Sequence, residues 1–264
     1  MPRPLTPEAL VYDLVQPGEP QVSPDGTQIV FTRTSVDRAT KRAVNHLWRC
    51  DIDGGGLQQL THAGERNGGA RWSPDGAKIA FVSDRDKRSG LFVLPIAGHG
   101  EARELVGHKG PISNLAWSPD GARIAYNTSF DPANPAEVEP PEGAPAPVRV
   151  IRRRDYKFDG RGFLGEVRQQ TFVVELEGGE RRRLTGEGLD HLGPLWSPDG
   201  RSIALRRGVP GNLLRTQIAL LEVESGAVRT IGPPMSGQVA AWSPSGDRLV
   251  FTGSEEAWGQ PDFY

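Results

Sequence analysis

The 264-residue chain is poor in sulfur and almost without net charge, and each shortage excludes a class of function. Its single cysteine, Cys50, rules out an internal disulfide, and no CxxC pair is present to hold zinc. That usage suits a reducing compartment. The formal net charge is −2, from 31 basic and 33 acidic residues, so no overall field draws the chain to nucleic acid. The basic runs Arg152-Arg153-Arg154 and Arg181-Arg182-Arg183 read as solvated strand or loop edges. No stretch approaches the roughly 20 apolar residues of a membrane helix. The opening Met1-Pro2-Arg3-Pro4 lacks the charged-then-apolar pattern of a secretory leader. A cytoplasmic location is expected.

Catalytic signatures are missing too. There is no Gly-x-Ser-x-Gly, no P-loop and no His-Glu-x-x-His. The nearest approach to a nucleophile elbow, Pro234-Met235-Ser236-Gly237, has proline where the first glycine is needed. Asp51-Ile52-Asp53-Gly54 opens like a calcium loop, but it is followed by neither the third acid nor the closing glutamate that such a loop requires, and it reads as a hairpin turn. The five histidines fall at strand starts or between units and are assigned structural roles. No catalytic residue, metal site or cofactor is expected.

Glycine and proline, in contrast, are abundant, with 33 and 23 copies, and many of them sit in one repeated turn. The turn occurs as Ser23-Pro24-Asp25-Gly26, Trp72-Ser73-Pro74-Asp75-Gly76, Trp117-Ser118-Pro119-Asp120-Gly121, Trp196-Ser197-Pro198-Asp199-Gly200 and Trp242-Ser243-Pro244-Ser245-Gly246. Proline presets φ at the second position of a type I turn, and glycine takes the left-handed φ that closes it. A short alternating strand follows each copy, such as Lys78-Ile79-Ala80-Phe81. The tryptophan before four of the turns should end the preceding strand in the core.

The turn serines are separated by 50, 45, 79 and 46 residues. A period near 45 with four strands per unit predicts an all-β fold, a β-propeller of four-stranded antiparallel blades. The blades span about 20–61, 69–106, 113–185, 193–231 and 238–264, the last incomplete. The long third interval contains residues 131–148, too rich in proline to form a ladder and therefore expected to be an exposed loop. Residues 1–15 precede the blades, with Thr6-Pro7 starting a short helix to about Leu14. Four blades and a partial fifth make an incomplete ring that would leave a flank of apolar sheet uncovered. The chain is therefore expected to be part of a longer polypeptide or to be completed by a second one.

Four features together resemble the prolyl oligopeptidase family of serine peptidases, chiefly its acylaminoacyl-peptidase and dipeptidyl-peptidase-like branch. They are the opening Leu5-Thr6-Pro7-Glu8-Ala9-Leu10, the run Pro20-Gln21-Val22-Ser23-Pro24-Asp25-Gly26, the Trp-Ser-Pro-Asp-Gly repeats, and Tyr156-Lys157-Phe158-Asp159-Gly160 after the insertion. The resemblance implies an N-terminal propeller that restricts access of short peptides to a C-terminal α/β-hydrolase domain carrying Ser, Asp and His. That domain is absent from these 264 residues, so no catalytic residue carries over, and the chain alone is expected to be inactive. The implied partners are the hydrolase domain and short peptides, with neither nucleic acid nor membrane; self-association is left open.

Tyr156, Lys157 and Asp159 are candidates for lining a route to the active site, since they follow an insertion and combine aromatic with charged groups. Glu255 and Glu256 form a second candidate, a carboxylate pair suited to a cation or an amino group, against which stands an ordinary solvated loop. Two other readings compete. A TolB-like propeller would be a non-catalytic protein-binding module. A WD-repeat adaptor is disfavoured: Gly107-His108 matches the Gly-His of such blades, but no Trp-Asp closes any unit, and the pair is read as coincidence.

Overall fold

The computed structural model describes residues 6–96, 100–145, 148, 150, 151, 156–158 and 162–254. Among these residues one helix, α1 (Pro7–Tyr12), precedes nineteen strands. Thr6 caps α1 by accepting the Ala9 N–H at 3.1 Å, with Pro7 at the first helical position. The helix ends at Tyr12, short of the expected Leu14, and buries no residue.

The chain falls into two compact units, Met1–Trp117 with Leu176–Gly179, and Ser118–Glu175 with Glu180–Tyr264. The first unit holds two sheets, each an antiparallel meander in chain order. One comprises β1 (Gln16–Val22), β2 (Gln28–Val36), β3 (Ala43–Asp51) and β4 (Gln58–Gln59). The other comprises β5 (Asn67–Trp72), β6 (Lys78–Ser83), β7 (Ser89–Pro95) and β8 (Arg103–His108). β9 (Ser113–Trp117) follows and packs on β5. The second unit opens with the third turn. It contains β10 (Arg123–Phe130), the hairpin β11 (Lys157–Phe158) and β12 (Gly162–Phe163), then β13 (Arg168–Glu175) and β14 (Arg181–Arg183). A five-stranded sheet completes it: β15 (His191–Trp196), β16 (Ser202–Val209), β17 (Asn212–Glu222), β18 (Val228–Trp242) and β19 (Leu249–Ser254).

Chain-order meanders are the topology of propeller blades, as the spacing of the turns predicts. One boundary differs. The fourth and fifth repeats are not separate, because β18 runs unbroken from Val228 to Trp242, pairing with β17 through Met235 and with β19 from Ser236. Gly232-Pro233-Pro234 signals a break in the sequence, yet the strand continues there. Proline tolerates a position where its missing N–H is not needed for the ladder. The Pro-Met-Ser-Gly stretch therefore lies in a strand, not at a strand-to-helix elbow.

Each turn is closed by the same hydrogen bonds. In the first four, the serine hydroxyl donates to the aspartate two residues on, at 2.5–2.6 Å, and accepts the N–H five residues on, at 2.9–3.0 Å. The aspartate in turn accepts the following N–H, as in Thr27 N–H to Asp25 at 3.1 Å. The fifth turn has Ser245 in place of the aspartate, and Asp247 replaces it as acceptor for Ser243 at 2.9 Å. Gly26, Gly76, Gly121, Gly200 and Gly246 all have φ between 69° and 74°, the left-handed region that disfavours a Cβ.

Only one of the four tryptophans, Trp196, is fully buried; the other three are half-buried. Trp72, Trp117 and Trp242 use the indole N–H to tie each strand to the preceding repeat, donating to Gln21, Arg71 and Leu195 carbonyls at 3.0–3.2 Å. Half-burial follows from this, since the ring bridges neighbouring sheets at their edge.

The apolar faces meet in a core of Val30, Leu47, Ala70, Ile79, Phe81, Phe92 and Leu94 in the first unit, with Phe81 and Phe92 stacked 5.7 Å apart. In the second unit Tyr126 stacks on Phe172 at 5.6 Å, and burial raises its phenol pKa. Ala80, Ala125 and Ala204 share one repeat position and are fully buried, as are Phe81, Tyr126 and Leu205 at the next. In β19 the corresponding Val250 and Phe251 are 59% and 42% exposed. The insertion carries successive turns and no strand over residues 131–145, as its prolines predict.

Candidate functional site

Four residues before the turn serine, the chain turns left-handed in each of the first four repeats. Glu19, Gly69, Asn114 and Gly193 have φ of 51°, 63°, 53° and 66°. In β1, β5 and β15 this point is a bulge, where the pairing register with the next strand shifts. A bulge turns one N–H out of its ladder, and that donor needs another partner. Glu19 supplies it for Gly69: its Oε2 accepts the Gly69 N–H at 2.9 Å and the Thr32 hydroxyl at 3.0 Å. Asn127 Oδ1 does the same for Gly193 at 2.8 Å. Glycine takes this conformation without strain and asparagine nearly so, but glutamate does not.

In the first unit these bulges border a cleft of about 500 Å3, whose walls include Glu19, Thr32, Asn45, Arg66, Asn67 and Arg71. Asn67 is only 1% exposed, and its amide nitrogen donates to the Asn45 and Ala63 carbonyls at 3.0 and 3.2 Å. The Oδ1 atoms of Asn67 and Asn45 are both buried without a hydrogen-bond partner. Buried acceptors in that state require a donor, which a ligand or a water can bring. Burial lowers the pKa of nearby His46, with His62 adding to the effect, so its ring is neutral at pH 7 and available as an acceptor. Its Nδ1 lies 3.4 Å from the Asn67 amide nitrogen. The lining of the cleft thus includes amide and carboxylate oxygens as well as the guanidinium groups of Arg66 and Arg71. That arrangement suits a ligand with both N–H donors and carbonyl or carboxylate acceptors, as a peptide has.

Of the residues selected from the sequence, Tyr156 and Lys157 are among the described residues. Tyr156 is exposed, with its ring 6.1 Å from that of Phe163, and Lys157 Nζ stands 5.8 Å over the same Phe163 ring. The β11–β12 hairpin joins them, and the Leu164 N–H closes it on the Tyr156 carbonyl at 2.9 Å. Asp159, Glu255 and Glu256 lie outside the described residues, as do Arg152, Arg153 and Arg154. Arg182 and Arg183 do more than edge a strand: Arg182 donates to the Val223 carbonyl at 2.8 Å, and the Arg183 guanidinium lies 3.8 Å over Phe130. Among the described residues no three His, Cys, Asp or Glu side chains are grouped to hold a metal, and no helix is long and apolar enough to cross a membrane. Asp53 accepts the Gly55 N–H at 2.8 Å, so Asp51–Gly54 forms the expected hairpin turn.

Comparison with known proteins gives the relationship. The family model "WD domain, G-beta repeat" matches residues 101–131. That stretch contains Gly107-His108, so the Gly-His pair is part of a recognisable repeat and not a coincidence. A peptidase of uncharacterised role from Bacillus subtilis (strain 168), YuxL, is 30% identical over 191 residues, which cover 71% of this chain and 29% of that protein. The Pyrococcus horikoshii acylaminoacyl peptidase superposes with a TM-score of 0.69 at 17% identity, over 92% of this chain and 36% of that one. The chain has the β-propeller fold and is similar in sequence to part of a peptidase. The propeller spans about a third of the length of these two relatives. A putative TolB from Agrobacterium tumefaciens shares the fold at a TM-score of 0.57 and 16% identity, over 91% of this chain and 90% of that one.

Proposed function

We propose that this propeller is the substrate-access portion of a serine peptidase that hydrolyses short peptides in the cytoplasm, releasing acylated or free N-terminal amino acids. A separate α/β-hydrolase domain would supply the Ser, Asp and His. The observation that carries this reading is the match to peptidases about two and a half times the length of the chain, in which the matched part is only 29–36% of the whole. The exposed Val250 and Phe251 support it, since further sheet would bury them as Ala80 and Phe81 are buried. In this role the propeller excludes water and large chains and orients what enters. The cleft beside Glu19 and Asn67, with its mixed donors and acceptors, would contact the peptide. Tyr156 and Lys157, on their exposed hairpin, are proposed to line the approach.

The test is hydrolysis of acetyl-alanyl and free aminoacyl chromogenic substrates by the full-length protein, with and without a serine-directed inhibitor. Inhibitor-sensitive turnover is expected from the full-length protein and none from residues 1–264 alone. A second reading, a TolB-like protein-binding module without catalysis, is favoured by the solved TolB structure, of which this chain covers 90%. It predicts no turnover from any form of the protein.

A further inference from the structure

A second concavity of the first unit differs from the peptide-facing cleft in its charge. It has a volume of about 720 Å3 and is walled by the β6–β7 hairpin, the segment before β5 and the segment between β8 and β9. Five cationic side chains, Arg66, Arg85, Lys87, Arg88 and Lys109, face two carboxylates, Glu65 and Asp84. Asp84 is committed to the segment before β5, where its Oδ1 accepts the backbone N–H groups of Glu65 and Arg66, each at 2.9 Å. Arg88 is paired with Glu104 at 3.1 Å.

Arg85 is different. Its guanidinium lies 4.4 Å from the centroid of Phe92 and 5.2 Å from that of Phe81, and its Nε donates to Ser83 Oγ at 3.1 Å. The two rings belong to the core stack, so the planar group is held in one orientation by buried structure and not by a flexible loop. Neither of its Nη groups has a hydrogen-bond or ion-pair partner among the described residues. A half-buried guanidinium held against two rings and by its Nε still carries two terminal Nη groups that can act as a donor fork. A carboxylate or phosphate fits such a fork with two parallel bonds. Lys87 stands two residues away at the hairpin, in a left-handed conformation with φ of 63° that lysine adopts at a cost.

We propose that this concavity binds a small oxyanion-bearing ligand, with Arg85 as the bidentate anchor and Lys87 as a supporting charge. The shared chemistry is an anionic oxygen pair, from either a carboxylate or a phosphate. The site needs no hydrolase domain and involves neither Glu19 nor Asn67, although its lining shares Arg66 with the cleft beside them.

The experiment is calorimetric titration of the full-length protein with succinate and, separately, with inorganic phosphate at low ionic strength. Arg85→Met retains the apolar stacking on Phe81 and Phe92 and removes the fork, and its melting temperature shows whether the fold is intact. Arg85→Lys retains charge without the fork. Saturable binding of at least one probe is expected, weakened about tenfold or more in Arg85→Met, as loss of a charge-assisted bidentate pair implies. Arg85→Lys should restore only part of it, and Lys87→Gln should weaken it less. Whichever of the two probes binds identifies the oxyanion class. Absence of saturable binding by both, or equal binding by a folded Arg85→Met protein, would overturn the assignment.

Discussion

Ser118 shows how much of this fold rests on single hydroxyls. It is fully buried, donates to Asp120 at 2.5 Å and accepts the Arg123 N–H at 2.9 Å. Ser118→Ala leaves that N–H without its acceptor, and a loss of about 1–3 kcal/mol is expected in urea unfolding. The turn aspartates behave as a set. Hydrogen bonds from the serine hydroxyl, and next from the following backbone N–H, hold Asp25, Asp75, Asp120 and Asp199 below 3.8. Their contribution to stability is complete above pH 3.8 and disappears as the pH falls through the depressed folded values. His191 titrates in a milder range. It is wholly buried, its Nδ1 lies 3.0 Å from the Leu189 carbonyl, and its Nε2 has no partner. Burial outweighs the other influences and lowers its pKa below 6.5. Its share of stability is full above pH 6.5 and declines as the pH drops towards the folded value. Chemical denaturation between pH 7.5 and pH 5, values set by the histidine range, should show this decline, reduced in His191→Gln.

At the scale of the element, sheets are joined by side chains that reach from one repeat to the next. Asn127 is the most connected of these in the second unit. Its amide donates to Gln170, Thr171 and His191 at 2.8–3.2 Å and accepts from Gly193 at 2.8 Å, all within a site of zero exposure. Asn127→Ala opens a void and leaves several buried groups unpaired, so destabilisation of about 2–4 kcal/mol is expected by urea titration. Trp117→Phe is milder. It keeps the ring and loses the bond to the Arg71 carbonyl, for about 1 kcal/mol.

The turns and the strands after them are legible in the sequence because their chemistry is local: proline, aspartate and glycine fix the turn wherever it occurs. Glu19, Asn127 and Arg85 are not legible in that way. Their partners Gly69, Gly193 and Phe92 lie 50, 66 and 7 residues off, and no nearby residue type announces the contact. A trace was present in Gly69, Asn114 and Gly193, which occupy one repeat position and tolerate a left-handed φ. Aligning the repeats on their serines would have exposed it. The continuous β18 was hidden for the opposite reason, since Gly232-Pro233-Pro234 carries a local signal for a break that pairing on both sides overrides.

On the scale of the whole molecule, the proposed function puts peptide contact at the cleft beside Glu19 and the hydrolytic chemistry in a different part of the protein. Glu19→Gln in the full-length enzyme keeps an acceptor for the Gly69 N–H and removes the charge at the cleft wall. It is expected to raise KM for short peptides several-fold with little change in kcat, as read from initial rates on a peptide series. The exposure of Val250 and Phe251 in β19 accords with that reading, because the corresponding residues of β6, β10 and β16 are fully buried. The most direct measurement of the central claim is turnover of acetyl-alanyl and aminoacyl chromogenic substrates by the full-length protein, titrated with a serine-directed inhibitor and compared with residues 1–264. The account predicts inhibitor-sensitive hydrolysis by the full-length protein and none by the propeller alone; an intact full-length protein that hydrolyses none of these substrates would contradict it.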